Sequence, residues 1–472
     1  MARPSIVVAE EYQPITVRRR IVGSARRIAW ALLVAGLGSC EREAPVVTSF
    51  AGDEQPSCPA GPVAAAFAPG VDARLELGAT WLPAVGDDPV LADAERLAAH
   101  RLRTSGLPGG AGDPWRAAVG SEGELADARR RALSFHEEVR RGELVEHEPG
   151  AVDQATAIIE RAEPVDHARL VVVQTQLHCT PSEGGYFRLP DRDPAFDRNA
   201  CTTLHPGEML RVLARADAGR WLLVDAGHTS GWVRPAGLSE RLTEDARRAW
   251  RGAERVWALA DDVRTRGGVP LRMGVGLPVV SRTTADITVQ VAAASGPTED
   301  VLDARAAITV GFAPLRRGSV LAAAFAQIGA AYGWGGRGGA RDCSQFLRDT
   351  LIPFGLELPR HSSAQAESGF TTVEVAGWSA ADKLAEIDRA SRTGLVLEYM
   401  PGHVLLDIGA WDGRRWSISS IAEFLVPCPQ GGGDTLYRLD RVAVTDLELG
   451  RGTARGAFVD RITKLAVFGS SP

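Results

Sequence analysis

The sequence predicts a multidomain α+β protein with a helical N-terminal region, two small β-barrels and a C-terminal α+β domain. Three observations lead to this prediction. At 472 residues the chain has about three times the usual length of one domain. With 51 Gly, 28 Pro and only 6% aromatic residues, it should contain many turns and several small cores. Helical periodicity gives way to short strand-like runs near residue 166 and returns near residue 319.

Composition excludes some classes of function. Lys and Arg total 53 and Asp and Glu total 59, so the net charge is −6 and gives no bulk electrostatic reason to bind nucleic acid. The six cysteines form no C-x-x-C pair, which argues against a zinc ribbon or a thioredoxin-type redox centre. We therefore expect no nucleic-acid partner, no metal and no cofactor.

Residues 1–39 have the pattern of a signal peptide. Two arginine clusters, at 18–20 and 26–27, precede an apolar run over 28–37, which is too short to span a bilayer. The run leads into a Leu-Gly-Ser-Cys sequence that is similar to the bacterial lipobox, so we expect Cys40 to be lipidated. The alternative is an ordinary secretory signal with an incidental cysteine. Residues 40–70 are rich in Pro, Ala and Gly and predict a flexible tether. The expected location is the periplasmic face of the cell envelope, anchored to a membrane by lipid.

The middle of the chain changes from helical to strand-like patterns. Residues 71–165 predict a helical domain that packs on the rest of the protein. Strand-like runs over 166–240 close with Gly231-Trp-Val233, and this segment resembles the bacterial SH3-like domains of cell-wall enzymes. A fainter set over 250–312 is interpreted as a second such barrel, with strands expected at 256–259, 269–273, 287–291 and 308–310. Either barrel could serve only as a rigid spacer.

Four cysteines raise the question of disulfides. Cys179 and Cys201 both fall in the first predicted barrel, where an oxidising compartment would permit a bridge. The alternative is a pair of free buried thiols. Cys58 and Cys428 lie far apart in the sequence, and their partners stay open.

A candidate nucleophile follows a glycine-rich loop. Ser319 is expected to cap one helix, and the loop at 332–339 leads to Cys343 at the start of a second helix. A helix N-terminus favours the thiolate, the form that attacks carbonyls. Asp342 can cap the same helix, but its charge opposes this effect, so an imidazole partner is needed. The loop alone is a weak signal, since no Gly-Lys-Ser/Thr follows it, and a lone cysteine is more often a small buried hydrophobe.

The candidate base is His403. It follows a Pro-Gly turn and begins a predicted strand whose Val404, Leu406 and Ile408 occupy one face. Such a histidine is by itself more often structural. A cysteine at a helix N-terminus followed by a histidine on a later strand is, however, the order found in papain-like peptidases.

Four motifs in order carry a family resemblance. They are Tyr332-x-Trp-Gly-Gly, Asp342-Cys-Ser-x-Phe346, Gly355-x-x-Leu-Pro-Arg-x-Ser-x-x-Gln365 and Gly402-His-Val-x-x-x-Ile-Gly409. Together they closely resemble the NlpC family of cell-wall cysteine peptidases, and the barrels resemble members with two N-terminal SH3-like domains. The resemblance implies a papain-like α+β peptidase domain over 313–472.

The resemblance also implies a reaction and roles. It implies a monomeric endopeptidase that cleaves between γ-linked D-glutamate and a diamino acid in peptidoglycan stem peptides or muropeptide fragments. Cys343 would be the nucleophile, His403 the base, and Tyr332 would lie near the oxyanion. The residues implied to line a pocket for the free amine of an N-terminal L-alanine are Asp342, Ser344 and Ser362. The alternatives are a helix cap for Asp342 and a turn residue for Ser362.

One position departs from the family. The slot usually filled by a histidine that orients the catalytic imidazole is Ser419 here, which can accept a hydrogen bond but carries no charge. Asp407 is a poor substitute, because four strand residues place it roughly 13 Å from His403. Reduced activity is therefore expected. Two alternatives stay open: a non-catalytic peptidoglycan-binding protein that retains the peptidase fold, and an acyltransferase or amidase on the same fold.

Overall fold

The computed structural model describes residues 58–59, 61–105, 107, 115, 121–189, 192–429 and 431–469. The predicted signal peptide and the predicted lipidation site, Cys40, lie outside these ranges. Within them, no helix is both long enough and apolar enough to cross a membrane.

Helices and strands alternate along the described chain. The α-helices are α1 Gly78–Trp81, α2 Ala94–Thr104, α3 Ser121–Arg140, α4 Ala151–Glu160, α5 Glu244–Gly252, α6 Arg317–Phe325, α7 Cys343–Leu351, α8 Ser362–Ala366, α9 Ala380–Ser391 and α10 Phe458–Arg461. The strands are β1 Val63–Ala64, β2 Leu144–Glu146, β3 Glu163–Leu170, β4 Thr175–His178, β5 Tyr186–Arg188, β6 Ala200–Leu204, β7 Met209–Ala216, β8 Trp221–Asp225, β9 Ser230–Val233, β10 Arg255–Ala258, β11 Gly276–Arg282, β12 Asp286–Ala293, β13 Gly296–Asp303, β14 Ile308–Val310, β15 Thr371–Glu374, β16 Gly394–Met400, β17 His403–Trp411, β18 Arg414–Pro427, β19 Asp434–Asp446 and β20 Lys464–Gly469.

The C-terminal part is built on a seven-stranded sheet in the order β1-β19-β18-β17-β16-β20-β15. Alternation along β17 sends Val404, Leu406 and Ile408 into one core, together with residues of α6 and α7. Leu405 enters a second core on the opposite face, which includes residues of α9 and α10. The predicted face of this strand is confirmed, and the sheet carries helices on both sides.

Two smaller sheets occupy the regions predicted as barrels. Strands β3, β4 and β6 to β9 form one sheet in the order β3-β7-β8-β9-β4-β6, and β10 to β14 form another in the order β13-β12-β11-β10-β14. Neither sheet closes on itself among the described residues, so the structure supports two antiparallel β-units at the expected places without confirming SH3-like barrels.

The strands of the second unit differ from those expected. Residues 269–273 form no strand; Pro270 makes only an isolated bridge to Arg264, and the buried Leu271 and Met273 pack as irregular chain. Two strands lie outside the expected runs: β11, which pairs with β10 and β12, and β13, which pairs along its whole length with β12. The sequence of β13 is largely polar because this strand lies at the sheet edge, so hydrophobic pattern alone did not identify it.

Helix α6 starts earlier than its sequence suggested. Ser319 was expected to cap it, but the helix begins at Arg317 and its capping position is Arg316, whose side chain makes no capping bond. The Arg317 side chain instead reaches across to Asp407, with Nη2 and Oδ2 3.0 Å apart. A buried ion pair with the sheet therefore holds the start of this helix where a cap was expected.

The structure forms two disulfides. Cys179 is bonded to Cys201, the one of the two open alternatives that an oxidising compartment would permit, and Cys58 is bonded to Cys428 across 370 residues of sequence. Cys343 is the one free cysteine among the described residues, and it is buried.

The two disulfides should differ in their contribution to stability. A disulfide stabilises the folded state by restricting the unfolded chain. One that closes a loop of 22 residues contributes about 3 kcal/mol, and one that closes 370 residues contributes roughly 2 kcal/mol more. The pair Cys58→Ser/Cys428→Ser should therefore unfold at lower guanidinium concentration than Cys179→Ser/Cys201→Ser. Equal midpoints with unchanged slopes would contradict this prediction.

Candidate active site

Cys343 is the first residue of α7, as the sequence predicted. Asp342 precedes it in an extended conformation, and its side chain accepts a 2.9 Å hydrogen bond from the backbone N–H of Gln345. This is an N-cap, which leaves the thiol at the positive end of a fully buried helix.

His403 lies where the chain enters β17. The turn before it includes Gly402, whose φ of 87° suits glycine, and the imidazole Nε2 lies 3.1 Å from Oγ of Ser419 on β18. Ser419 is therefore the hydrogen-bond partner of the His403 imidazole, and its role as the orienting group stays a prediction. When Nε2 carries the proton and donates it to the serine oxygen, the lone pair of Nδ1 is left available as a base.

The nucleophile and base elements meet at the start of β17. The backbone amide of Val404, the residue after His403, hydrogen-bonds to the Cys343 sulfur and lowers the thiol pKa against larger opposing effects. The side chains of Cys343 and Val404 belong to the same core. Asp342 acts electrostatically on His403 as well as on the thiol. Helix α7 and strand β17 thus adjoin where the residues predicted to be nucleophile and base are placed.

Burial leaves both catalytic groups uncharged at rest. Burial, together with the nearby Asp342 carboxylate, raises the pKa of Cys343 to about 12. Burial, together with the positive charge of Arg461, lowers the pKa of His403 to about 4. Between pH 5 and pH 9 the resting pair is therefore a neutral thiol and a neutral imidazole, and the proton moves to the imidazole during attack.

The resting state predicts how Cys343 reacts with iodoacetamide. Below a pKa of about 12 the thiolate fraction increases tenfold per pH unit, so the alkylation rate should increase tenfold per unit from pH 6 to pH 9. Peptide mapping by mass spectrometry measures alkylation at Cys343 separately from other sites. The Cys343→Ala variant, which lacks this thiol, gives the background signal. A rate that is already flat between pH 5 and pH 8 would instead show a thiolate–imidazolium pair at rest.

Tyr332 pairs in an isolated backbone bridge with Arg341, two residues before Cys343. Its backbone N–H donates to the carbonyl of Asp440, 2.8 Å away, which ties it to the central sheet. Burial raises its pKa, and the charges of Cys343 and Asp342 add to the increase, so the phenol stays protonated. A protonated phenol can donate a hydrogen bond to the oxyanion that forms on a carbonyl attacked by the Cys343 sulfur.

Asp342 and Ser344 belong to a buried network centred on Arg360. The Arg360 guanidinium donates to both oxygens of Asp342, at 3.1 and 2.6 Å, and to Oγ of Ser344 at 2.8 Å. Its Nε donates to Oγ of Thr202 on β6, at 2.9 Å. Burial would raise the pKa of Asp342, but the Arg360 charge and the hydrogen bonds lower it. The carboxylate is therefore ionised and already paired.

Sequence reasoning did not assign a role to Arg360. A signal was available, because an acid beside a buried nucleophile needs a countercharge and the motif contains Leu358-Pro359-Arg360. Gln365 of the same motif donates to the carbonyls of Ser344 and Pro359, both at 2.8 Å. These bonds hold α8 against α7.

Two other predicted residues lie apart from this network. Ser362 is the first residue of α8 and is partly buried, and no hydrogen bond in the structure joins it to Asp342 or Ser344. Asp407 contacts Arg317 and Arg415 and not His403, in agreement with the distance argument against it as the orienting group.

The six-stranded sheet contacts the glycine-rich loop directly. Oγ of Thr203 donates to the carbonyl of Gly336 at 2.6 Å. Gly335 and Gly336 have φ values of 57° and 74°, and a Cβ on Gly335 would lie 2.1 Å from the carbonyl oxygen of Ala200. Only glycine fits this contact, so the loop sequence reflects packing against the sheet as well as access to Cys343.

The comparisons with known proteins agree with this geometry. Residues 329–385 match the NlpC/P60 family. This NlpC/P60 segment contains Tyr332, Cys343 and Arg360, whereas His403 and Ser419 lie beyond it. No curated protein matches the chain.

A solved NlpC/P60 structure resembles the chain in fold. A structure described as a novel NlpC/P60 endopeptidase from Photobacterium damselae subsp. piscicida superposes with a TM-score of 0.66 at 13% identity, covering 87% of this chain and 100% of that one. An NlpC/P60 family protein from Bacillus cereus ATCC 10987 gives a TM-score of 0.41 at 13% identity, covering 64% and 100%. The first likeness shows a shared fold over 87% of this chain.

Proposed function

We propose that this protein is a cysteine endopeptidase that hydrolyses the bond between γ-linked D-glutamate and a diamino acid in peptidoglycan stem peptides. The observation that carries the proposal is the arrangement of Cys343 at the start of α7, beside Val404, with His403 hydrogen-bonded to Ser419. A neutral thiol beside a buried, oriented imidazole is suited to nucleophilic acyl transfer. The NlpC/P60 match over 329–385 supports an endopeptidase of this kind, and the scissile bond is the one that the family resemblance implies.

The reaction follows from the resting state. His403 takes the thiol proton at Nδ1 while the Cys343 sulfur bonds to the scissile carbonyl carbon, and Tyr332 donates to the resulting oxyanion. The tetrahedral intermediate collapses, and the C–N bond breaks as His403 returns the proton to the leaving amine. Water, deprotonated by the same imidazole, then releases the acyl group from sulfur. No metal or cofactor takes part in this scheme.

The experiment uses purified protein and L-Ala-γ-D-Glu-diaminopimelate. The expected products are L-Ala-γ-D-Glu and free diaminopimelate, identified by mass spectrometry. The isomer in which L-glutamate is α-linked serves as the matched substrate control and should stay intact. Cleavage of the Ala–Glu bond, or of both isomers equally, would contradict the proposed specificity.

The proposal includes recognition of the free N-terminal amine of the substrate. The contacts of Asp342 determine how this part of the proposal is tested. Asp342 already pairs with Arg360, so an ammonium bound to Asp342 must also tolerate the arginine charge. If Asp342, Ser344 and Ser362 bind the amine, N-acetylation of the tripeptide should lower kcat/KM by about tenfold to a hundredfold. Equal turnover of the free and the acetylated tripeptide would show that Asp342 serves only as a helix cap and as the counterion of Arg360. Intact peptidoglycan, whose stem peptides lack the free amine, could then also be a substrate.

We further propose that the protein acts in the cell envelope. Two disulfides among the described residues are typical of an oxidising compartment, and the N-terminal pattern favours a lipid anchor at Cys40. The mature protein should then partition into detergent and carry a diacylglycerol mass at its N-terminus. A soluble mature form with an unmodified Cys40 would contradict the anchor.

A further inference from the structure

Arg198 lies beside the glycine-rich loop of the candidate active site, in the segment that leads into β6. Its backbone N–H donates to the carbonyl of Tyr186 at 2.7 Å. The Asp197 side chain accepts from the backbone N–H groups of Tyr186 and Asn199, at 3.0 and 2.8 Å. The Cys179–Cys201 disulfide closes the segment three residues further on. The position of Arg198 is therefore fixed before any ligand binds.

The arginine side chain lies over the glycine-rich loop that precedes Cys343. Its guanidinium carbon lies 4.2 Å from the centroid of the Trp334 ring, in the glycine-rich loop. Its charge lowers the pKa of Tyr332, which also responds to the charge of Cys343. Phe196, two residues earlier, packs edge-on against both aromatic rings, with centroids 6.3 Å from Tyr332 and 5.6 Å from Trp334. Tyr332 thus lies within the electrostatic reach of both the nucleophile and Arg198.

Arg198 differs from comparable arginines because no carboxylate pairs with it among the described residues. Its side chain makes no hydrogen bond there, and its Nε is buried without an acceptor. Glu138 and Arg188 act on it only through longer-range electrostatics. By contrast, Arg234 stacks on Trp221 in the same sheet at 4.1 Å and donates to Glu183 at 2.5 Å. A stacked, half-buried guanidinium without a partner is suited to bind an incoming carboxylate in a bidentate manner.

We propose that Arg198 determines substrate specificity by binding a free carboxylate of the substrate next to the scissile bond. The inference rests on the proposed function and adds a recognition residue from outside the NlpC/P60 segment. In a γ-linked glutamate the scissile carbonyl is on the side chain, so the α-carboxylate stays free only a few bonds away. Arg198 pairs with this α-carboxylate while Trp334 and Phe196 exclude water from the contact. An amidated residue, isoglutamine, lacks the charge and loses the pair.

The test measures binding in a catalytically inert protein. Cys343→Ala is titrated calorimetrically with L-Ala-γ-D-Glu-diaminopimelate and with the matched peptide that contains D-isoglutamine. The glutamate peptide should bind at least tenfold more tightly. Adding Arg198→Gln should abolish this ratio by weakening the glutamate peptide alone, and Arg198→Lys should retain part of it. Arg234→Gln, which removes a stacked arginine of the same sheet, should leave the ratio unchanged.

The outcomes separate this inference from the proposed function. A preference for glutamate that persists in Arg198→Gln, while the wild type still cleaves the tripeptide, would overturn the inference and leave the peptidase proposal intact. An Arg198-dependent preference in a protein whose wild type cleaves neither peptide would support the inference and overturn the peptidase proposal. Failure of Cys343→Ala to bind either peptide would overturn both.

Discussion

Alanine at Cys343 or at His403 should abolish peptide cleavage, whereas alanine at Ser419 should lower kcat/KM only about tenfold. The first two remove the nucleophile and the base. Ser419→Ala removes the 3.1 Å hydrogen bond that orients the imidazole, and a neutral hydrogen bond of this kind contributes about 1 kcal/mol. Initial rates on L-Ala-γ-D-Glu-diaminopimelate at neutral pH provide the measurement.

Two further variants provide a control for this prediction and a test of the position that Ser419 occupies. Ser417→Ala removes a buried serine two residues away on β18, one that donates to Glu398 and not to His403, so cleavage by this variant should stay near the wild-type rate. Ser419→His should preserve or raise the rate if this slot orients the base. Unchanged cleavage by Cys343→Ala would refute the peptidase proposal. A wild type inert on every stem peptide, with activity restored by Ser419→His alone, would identify a wall-binding protein that retains the peptidase fold.

Replacing Arg360 with methionine should destabilise the protein by about 3–5 kcal/mol, because it leaves the buried Asp342 carboxylate without its countercharge. Adding Asp342→Asn removes that charge while retaining a helix-capping residue, so the double variant should recover most of the loss. Denaturant unfolding at constant slope gives the free energies of unfolding. A loss below about 1 kcal/mol in the single variant would show that Arg360 does not neutralise Asp342.

The pH dependence of the Arg360→Met variant follows from the same pair. In the wild type Arg360 lowers the pKa of Asp342, so the pair stabilises the fold above the unfolded-state pKa and this contribution is lost as the pH falls. In the variant, burial without a countercharge raises that pKa above the unfolded value, and the folded state is favoured as Asp342 takes up a proton. The stability difference between the two proteins should therefore shrink as the pH is lowered towards 4.

Local patterns were sufficient to predict the elements that carry the chemistry. The start of α7 at Cys343 depends on the capping residue Asp342, and the start of β17 at His403 depends on the preceding turn and the apolar alternation after it. Both signals lie within a few residues of the feature they determine, so they are visible in the sequence. The orienting role of Ser419 came from a family resemblance, and the 3.1 Å contact with His403 agrees with it.

The features that were missed depend on contacts between distant parts of the chain. Arg360 meets Asp342 across 18 residues and Thr202 across 158 residues, and no periodicity encodes either contact. Strand β13 is polar because it lies at a sheet edge, and α6 begins at an arginine because Asp407 pairs with it. In each case tertiary contacts override a local preference.

Active-site labelling tests the central claim most directly. The reagent is L-Ala-γ-D-Glu with a diazomethyl ketone in place of the γ-amide bond, which forms a thioether with a nucleophile that accepts this acyl group. Intact mass and peptide mapping should show one adduct, on Cys343, whose formation is slowed by the tripeptide substrate and greatly reduced in His403→Ala. No adduct on Cys343, or an adduct that forms equally in His403→Ala and in the presence of substrate, would contradict the assignment of Cys343 and His403 as the catalytic pair.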